Sequence, residues 1–200
     1  MNYLAHIYLS GDHKMITIGN FVADGVRGNK YKLYPSEIQK GILLHRQIDT
    51  FTDAHPLFRQ CTKRLHKGYS HYSGVIVDIF FDHFLAKNWT SYSNIALELY
   101  VANFYKSLTE NIALLPPRFQ ELTPIMIKGN WLLSYAKIEG IQLVLNGMNN
   151  RTKGRSKMNK ATRELKLHYD AFENDFTAFF QELMDFSATK RIEIEQQFST

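Results

Sequence analysis

Two stretches of this sequence put ionisable side chains where a buried helix face should be apolar. In Gly41-Ile-Leu-Leu-His45-Arg46-Gln-Ile-Asp49, His45 and Asp49 stand four residues apart, one helical turn. In Val77-Asp78-Ile-Phe-Phe-Asp82-His83-Phe84, Asp78 and Asp82 repeat that spacing among large apolar neighbours, with His83 adjacent. A buried carboxylate is costly unless something compensates it, and two carboxylates one turn apart also repel. A divalent cation resolves both problems, because it accepts oxygen and imidazole ligands together. His45, Asp49, Asp78 and Asp82 are therefore the expected metal ligands. Two further residues are candidates to join them. Asp24 is the single acid of Gly19-Asn-Phe-Val-Ala-Asp24-Gly-Val-Arg27-Gly28. His6 lies in the apolar opening Tyr3-Leu-Ala-His6-Ile-Tyr-Leu9, although alone it reads as a hydrogen-bonded core histidine. The mixed oxygen and nitrogen set suits Mn²⁺, Mg²⁺ or Fe²⁺ better than a tetrahedral zinc site.

Helices must carry these residues. Pro35-Ser36-Glu37 reads as a helix start, with Ser36 as cap and the helix running to about Thr52. Ile38, Ile42, His45 and Asp49 share one of its faces. Pro56 opens a helix to about His66, with Leu57, Cys61 and Leu65 inward. The next spans about 71–87 and puts Val75, Asp78, Asp82 and Leu85 on one stripe. Another runs over about 94–114 and stops at Pro116-Pro117. Shorter helices are expected over 118–128, 130–137 and 138–147. A long one covers about 159–197, with Leu165, Phe172, Phe176, Phe179 and Leu183 at core spacing. No strict alternation, fixed repeat or rich linker interrupts this pattern. The expectation is a single all-α domain over 1–200.

Composition agrees. The 200 residues are 44% hydrophobic, 22% charged and 14% aromatic, which excludes a disordered or low-complexity chain. The lone Cys61 cannot form an intrachain disulfide and reads as a buried structural thiol. No apolar run approaches the ~20 residues of a membrane span, and the N-terminus lacks the form of a secretory signal. A cytoplasmic protein is expected. The net charge of +5 is concentrated: Arg151, Lys153, Arg155, Lys157, Lys160 and Arg163 fall together without an acid. Such a stretch is either a solvated loop or a docking site for an anionic partner. It lacks the interleaved aromatics that favour single-stranded nucleic acid, so no nucleic-acid partner is expected. Asp53, His55, His66 and His71 read as surface or cap residues. His168 and Asp170 read as a local pair.

Six stretches in order along the chain resemble the acyl carrier protein phosphodiesterase family, a divergent branch of the HD-domain phosphohydrolases. They are Met1-Asn-Tyr-Leu-Ala-His6, Gly19 to Gly28, His45-Arg46-Gln-Ile-Asp49 through Asp53, Asp78-Ile-Phe-Phe-Asp82-His83-Phe-Leu85, Val144-Leu-Asn146-Gly147-Met148, and His168-Tyr-Asp170. The resemblance implies an HD-like helical bundle and a manganese-dependent hydrolysis that removes 4′-phosphopantetheine from holo-acyl carrier protein. The His-Asp dipeptide usual in HD proteins is absent, since His45-Arg46 stands where it would fall. Under this reading His83, Asp24 and Arg46 are the catalytic candidates. Arg27, Arg151, Lys153 and Arg155 are the substrate-binding candidates, with an acidic acyl carrier protein as partner. The competing readings are a phosphohydrolase of a nucleotide or other small phosphoester, and a helical module that binds nucleic acid without chemistry.

Overall fold

The computed structural model describes residues 2–199; Met1 and Thr200 lie outside the described residues. Eleven α-helices and no strand occur among them, as the helical periodicity requires. Two short helices come first: α1 (Tyr3–Leu9) and α2 (Lys14–Val22). Two 3₁₀ segments, Ala23–Gly25 and Gly28–Leu33, then lead to α3 (Ser36–Ala54), whose cap position is taken by Pro35 rather than Ser36. Next are α4 (Pro56–Tyr69), α5 (Ser73–Lys87), α6 (Leu97–Glu110), α7 (Pro117–Lys128), α8 (Trp131–Ser134) and α9 (Ile138–Arg151). The expected long C-terminal helix is broken at His168 (φ −118°, ψ 30°) into α10 (Thr162–Leu167) and α11 (Tyr169–Phe198).

Helix α5 sits at the centre. Ile76, Val77, Ile79, Phe80, Phe81, Phe84 and Leu85 are all buried, so it is apolar around most of its circumference. Val75, expected inward, is 40% exposed at its N-terminal end. The α11 stripe of Phe172, Phe176, Phe179 and Leu183 is fully buried, as its spacing predicts. Phe81 packs on Phe176 and Phe179 at centroid distances of 5.4 and 5.3 Å.

The packing that matters most for the site is α2 against α3. A Cβ on Gly41 would fall 2.7 Å from Asn20 N and 2.9 Å from Gly19 Cα, and one on Gly19 would overlap the Ile38 carbonyl. The two glycines let the backbones touch. That contact sets Asn20 against His45, one turn beyond Gly41.

Candidate metal centre

Helix α1 is held from α5. Its first turn has no side-chain cap of its own, and the orphan N–H groups of Leu4 and Ala5 instead donate to Asp82 Oδ2 (2.8 Å) and Oδ1 (3.0 Å). Asp82 is completely buried; burial pushes its carboxyl up to about 7, against the pull of those two donors. The cap fixes α1, and α1 carries His6 inward. Asn20 on α2 completes the support: its Nδ2 donates to the His6 carbonyl and to Ser10 Oγ, both at 2.9 Å.

His6 and His45 stack in parallel, with ring centroids 3.9 Å apart and 16° between planes. Asp49, one turn beyond His45 on α3, faces both rings. Its Oδ1 lies 3.2 Å from His6 Nε2 and its Oδ2 lies 3.1 Å from His45 Nε2. Asp24 Oδ1, from the turn after α2, lies 3.4 Å from His45 Nε2. One donor atom from each of His6, His45 and Asp49 falls within 4.8 Å of the others. Two ligands about 2.1 Å from one ion at right angles are about 3 Å apart, so this spacing suits a shared cation. The second coordination sphere fits too. His45 Nδ1 donates to the Asn20 carbonyl at 2.8 Å, which turns Nε2 toward the carboxylates, the arrangement usual for a metal-binding imidazole. His6 and His45 are buried, whereas Asp24 is exposed and opens the cluster to solvent.

The electrostatics favour a single proton on His45, between two ionised carboxylates. Burial opposes charge on His45, but Asp24 and Asp49 outweigh it and raise the imidazole to about 9. Burial and the neighbouring His45 charge lower His6 to about 4. Burial alone would raise Asp49; the His45 and His6 hydrogen bonds reverse this and hold it well below the usual carboxylate range. The His45 hydrogen bond lowers Asp24 as well.

The other expected residues are distributed differently. Asp82 spends both oxygens on the α1 cap. His83 is turned away: Nδ1 lies 2.7 Å from the Tyr135 carbonyl and Nε2 2.8 Å from the Tyr169 hydroxyl. Asp78 sits at the margin, where burial raises its carboxyl and the Asp49 charge adds to the effect. Arg46 donates to the Val26 carbonyl (3.1 Å) and the Gly28 carbonyl (2.7 Å) and lies over the Tyr31 ring. It thus pins the turn that bears Asp24 and the exposed Arg27. Arg151, Lys153 and Arg155 are exposed at the end of α9. Arg118, at the start of α7, escaped notice in the sequence. Phe119 beside it packs on Phe21 at 5.1 Å, and the Arg118 charge acts on Tyr3, one turn before His6. Cys61 is buried beside Asp175 and Arg64, and burial with the Asp175 charge raises its thiol. His55 caps α4 by accepting from Leu57 N.

A sequence model of the family described as acyl carrier protein phosphodiesterase matches residues 1–183. The chain belongs to the acyl carrier protein phosphodiesterase family. A relative from Salmonella dublin bearing that name is 34% identical over 193 residues, covering 96% of this chain and all of the relative. Relatives from Salmonella agona and Salmonella newport, of the same name, are 33% identical over the same lengths. No solved structure matches the chain. The family makes the protein a phosphodiester hydrolase. Of the six stretches that carry the resemblance, the first three supply His6, Asp24, His45 and Asp49. The fourth supplies the Asp82 cap that holds α1 in place.

Proposed function

We propose that this protein is a metal-dependent phosphodiesterase that hydrolyses holo-acyl carrier protein to the apo protein and 4′-phosphopantetheine. The observation that carries the reading is the cluster of two stacked imidazoles and two carboxylates, joined at 3.1–3.4 Å, in a chain of this family. His6, His45 and Asp49 would hold the ion, with Asp24 facing it from the open side. Two imidazoles beside carboxylates favour Mn²⁺ or Fe²⁺ over Mg²⁺. When bound, the ion supplies Lewis acidity and lowers the pKa of water at the site.

The chain's own residues do the rest. Asn20 orients His45, and Asp82 holds α1 and with it His6. Asp24 is exposed and ionised, so it can take the proton of an attacking water. The water oxygen forms the new bond to phosphorus as the bond to the serine oxygen breaks. Asp24 passes that proton to the departing serine oxygen, and the phosphate stays on the pantetheine. Arg27 is suited to the phosphate oxygens, and Arg46 positions the turn that carries it. His83, with both nitrogens engaged elsewhere, takes no part in this account.

The basic loop after α9 supports an acidic protein substrate. It is built rather than floppy: Ser156 N donates to Thr152 Oγ1 at 3.2 Å, and Ser156 Oγ donates to Asn149 Oδ1 at 3.2 Å. Met158 anchors its far end in the core. Lys153, Arg155 and Lys157 project from this frame. Lys157, Lys160 and Arg163 also line a groove with Gly68 and Tyr69 at the end of α4. Among the described residues no helix is long and apolar enough to cross a membrane. The test is incubation with holo-acyl carrier protein, with and without Mn²⁺, read by intact mass. Loss of the phosphopantetheine mass only with metal is expected; an unchanged mass with metal present refutes the reading.

A further inference from the structure

A groove of about 200 Å³ opens where the start of α1 meets α8 and α9. Its floor and walls are Tyr3, Trp131, Tyr135, Val144 and Met148, with Arg151 at its rim. Three features connect it to the chemistry. First, α1 links it to the candidate metal centre: Tyr3 lines the groove, and His6 lies one turn further along the same helix. Second, burial raises the Tyr3 hydroxyl, and the charges of Arg118, Asp24 and Arg151 all act on it. Third, Gly147 has no packing reason to be glycine. It sits inside α9 with helical φ, and a Cβ there would meet nothing within 4 Å. A glycine inside a helix costs about 1 kcal/mol relative to alanine. Keeping the groove clear accounts for it.

We infer that this groove binds the pantetheine arm of the substrate. The arm's phosphate lies toward Tyr3 and Asp24, and its chain runs along Trp131, Val144 and Met148. The inference rests on the reading given under Proposed function and extends it to substrate recognition. The chemistry of the walls fits this slender arm: Trp131, Val144 and Met148 can cover its methyl and methylene groups, and Asn2 and Ser134 offer polar partners to its amides and hydroxyl. Cationic Arg151 lines the groove, and the charges of Arg118 and Arg151 both act on Tyr3. Leu143, 70% exposed on the same lip, extends the apolar wall outward.

The chain has two tryptophans, which makes the test direct. Trp131 lines the groove, whereas Trp89 is 3% exposed and bonded through Nε1 to the Ile95 carbonyl. Metal-free protein is titrated with 4′-phosphopantetheine, with pantetheine lacking the phosphate, and with inorganic phosphate, following tryptophan emission. Saturable changes with phosphopantetheine and, more weakly, with pantetheine are expected, and none with inorganic phosphate. The Gly147→Leu variant fills open space and keeps its thermal unfolding transition. It should weaken phosphopantetheine binding at least tenfold and raise KM for holo-acyl carrier protein by a similar factor. Equal responses to phosphate and phosphopantetheine overturn the inference, as does unaltered binding by Gly147→Leu. If the wild-type protein leaves holo-acyl carrier protein intact, the functional reading fails while the titration still decides the groove.

Discussion

Two glycines of this chain should respond oppositely to the same substitution. In Gly41→Ala the new methyl would stand 2.1 Å from the Ile16 carbonyl oxygen and 2.7 Å from Asn20 N, where ordinary contact begins at 3.4 Å. The neighbours are helix backbone and cannot rotate aside, so α2 and α3 must part by about 1.3 Å. Asn20, whose carbonyl orients His45, moves with α2. A His45 Nδ1 to Asn20 O distance of 2.8 Å would stretch to roughly 4 Å, beyond a useful hydrogen bond. Overpacking costs about 1–3 kcal/mol. The lost bond to a buried imidazole costs about 1–3 kcal/mol, and helix propensity returns about 1 kcal/mol. The net expectation is a loss of about 2–4 kcal/mol in urea unfolding. Metal affinity should fall about 10–100-fold, the usual penalty for losing such an orienting partner. Gly147→Ala meets open space and should instead stabilise by about 0.5–1 kcal/mol with metal affinity intact. Isothermal titration with Mn²⁺ and denaturant curves on both variants provide the readout. A Gly41→Ala protein as stable and as avid as wild type refutes the argument that close helix contact builds the site.

Further predictions follow from the same geometry. His45 is raised to about 9 and the ion must displace its proton, so apparent metal affinity should rise about tenfold per pH unit from 7 toward 9. Proton release in weakly buffered titrations checks this; a flat profile counts against His45 as a ligand. In metal-free protein the same raised pKa stabilises the fold below the unfolded value of about 6.5. That contribution is lost as pH rises through about 9, and thermal unfolding midpoints should fall over that window. Asp82→Ala leaves Leu4 N and Ala5 N without acceptors and should destabilise by about 2–4 kcal/mol. It should lower metal affinity less than Asp49→Ala does; equal loss would make Asp82 a ligand after all. Replacing Arg151, Lys153 and Arg155 together by alanine should raise KM for acyl carrier protein, leave kcat within about twofold, and flatten the salt dependence of kcat/KM. An unchanged salt slope would remove the loop from substrate docking.

Much of the fold was legible because long helices announce themselves. Pro35, Pro56 and Pro117 mark starts, and the phenylalanines of α11 keep a period that only burial explains. Helices α1 and α2 were not legible: they have seven and nine residues, and α1 borrows its cap from Asp82, 78 residues away from Leu4. The same fact explains how the site reading divides. A carboxylate amid apolar residues signals that something compensates it, and either a cation or a helix N-terminus can do so. For Asp49 the partners are His45, on its own helix, and His6. For Asp82 the partner is a backbone distant in sequence, which spacing within α5 cannot reveal. His6 read as a core histidine because its partners come from α3. Arg118 carried no local signal, since its proximity to Tyr3 arises from the packing of Phe119 on Phe21.

The central claim is that His6, His45 and Asp49 share one ion that Asp24 faces. The most direct measurement is anomalous diffraction at the manganese edge from crystals grown with Mn²⁺. The account predicts one strong peak bounded by His6 Nε2, His45 Nε2 and an Asp49 oxygen, with Asp24 facing it. A peak between Asp78 and Asp82, or no ordered manganese in protein that is active with the metal, would contradict it.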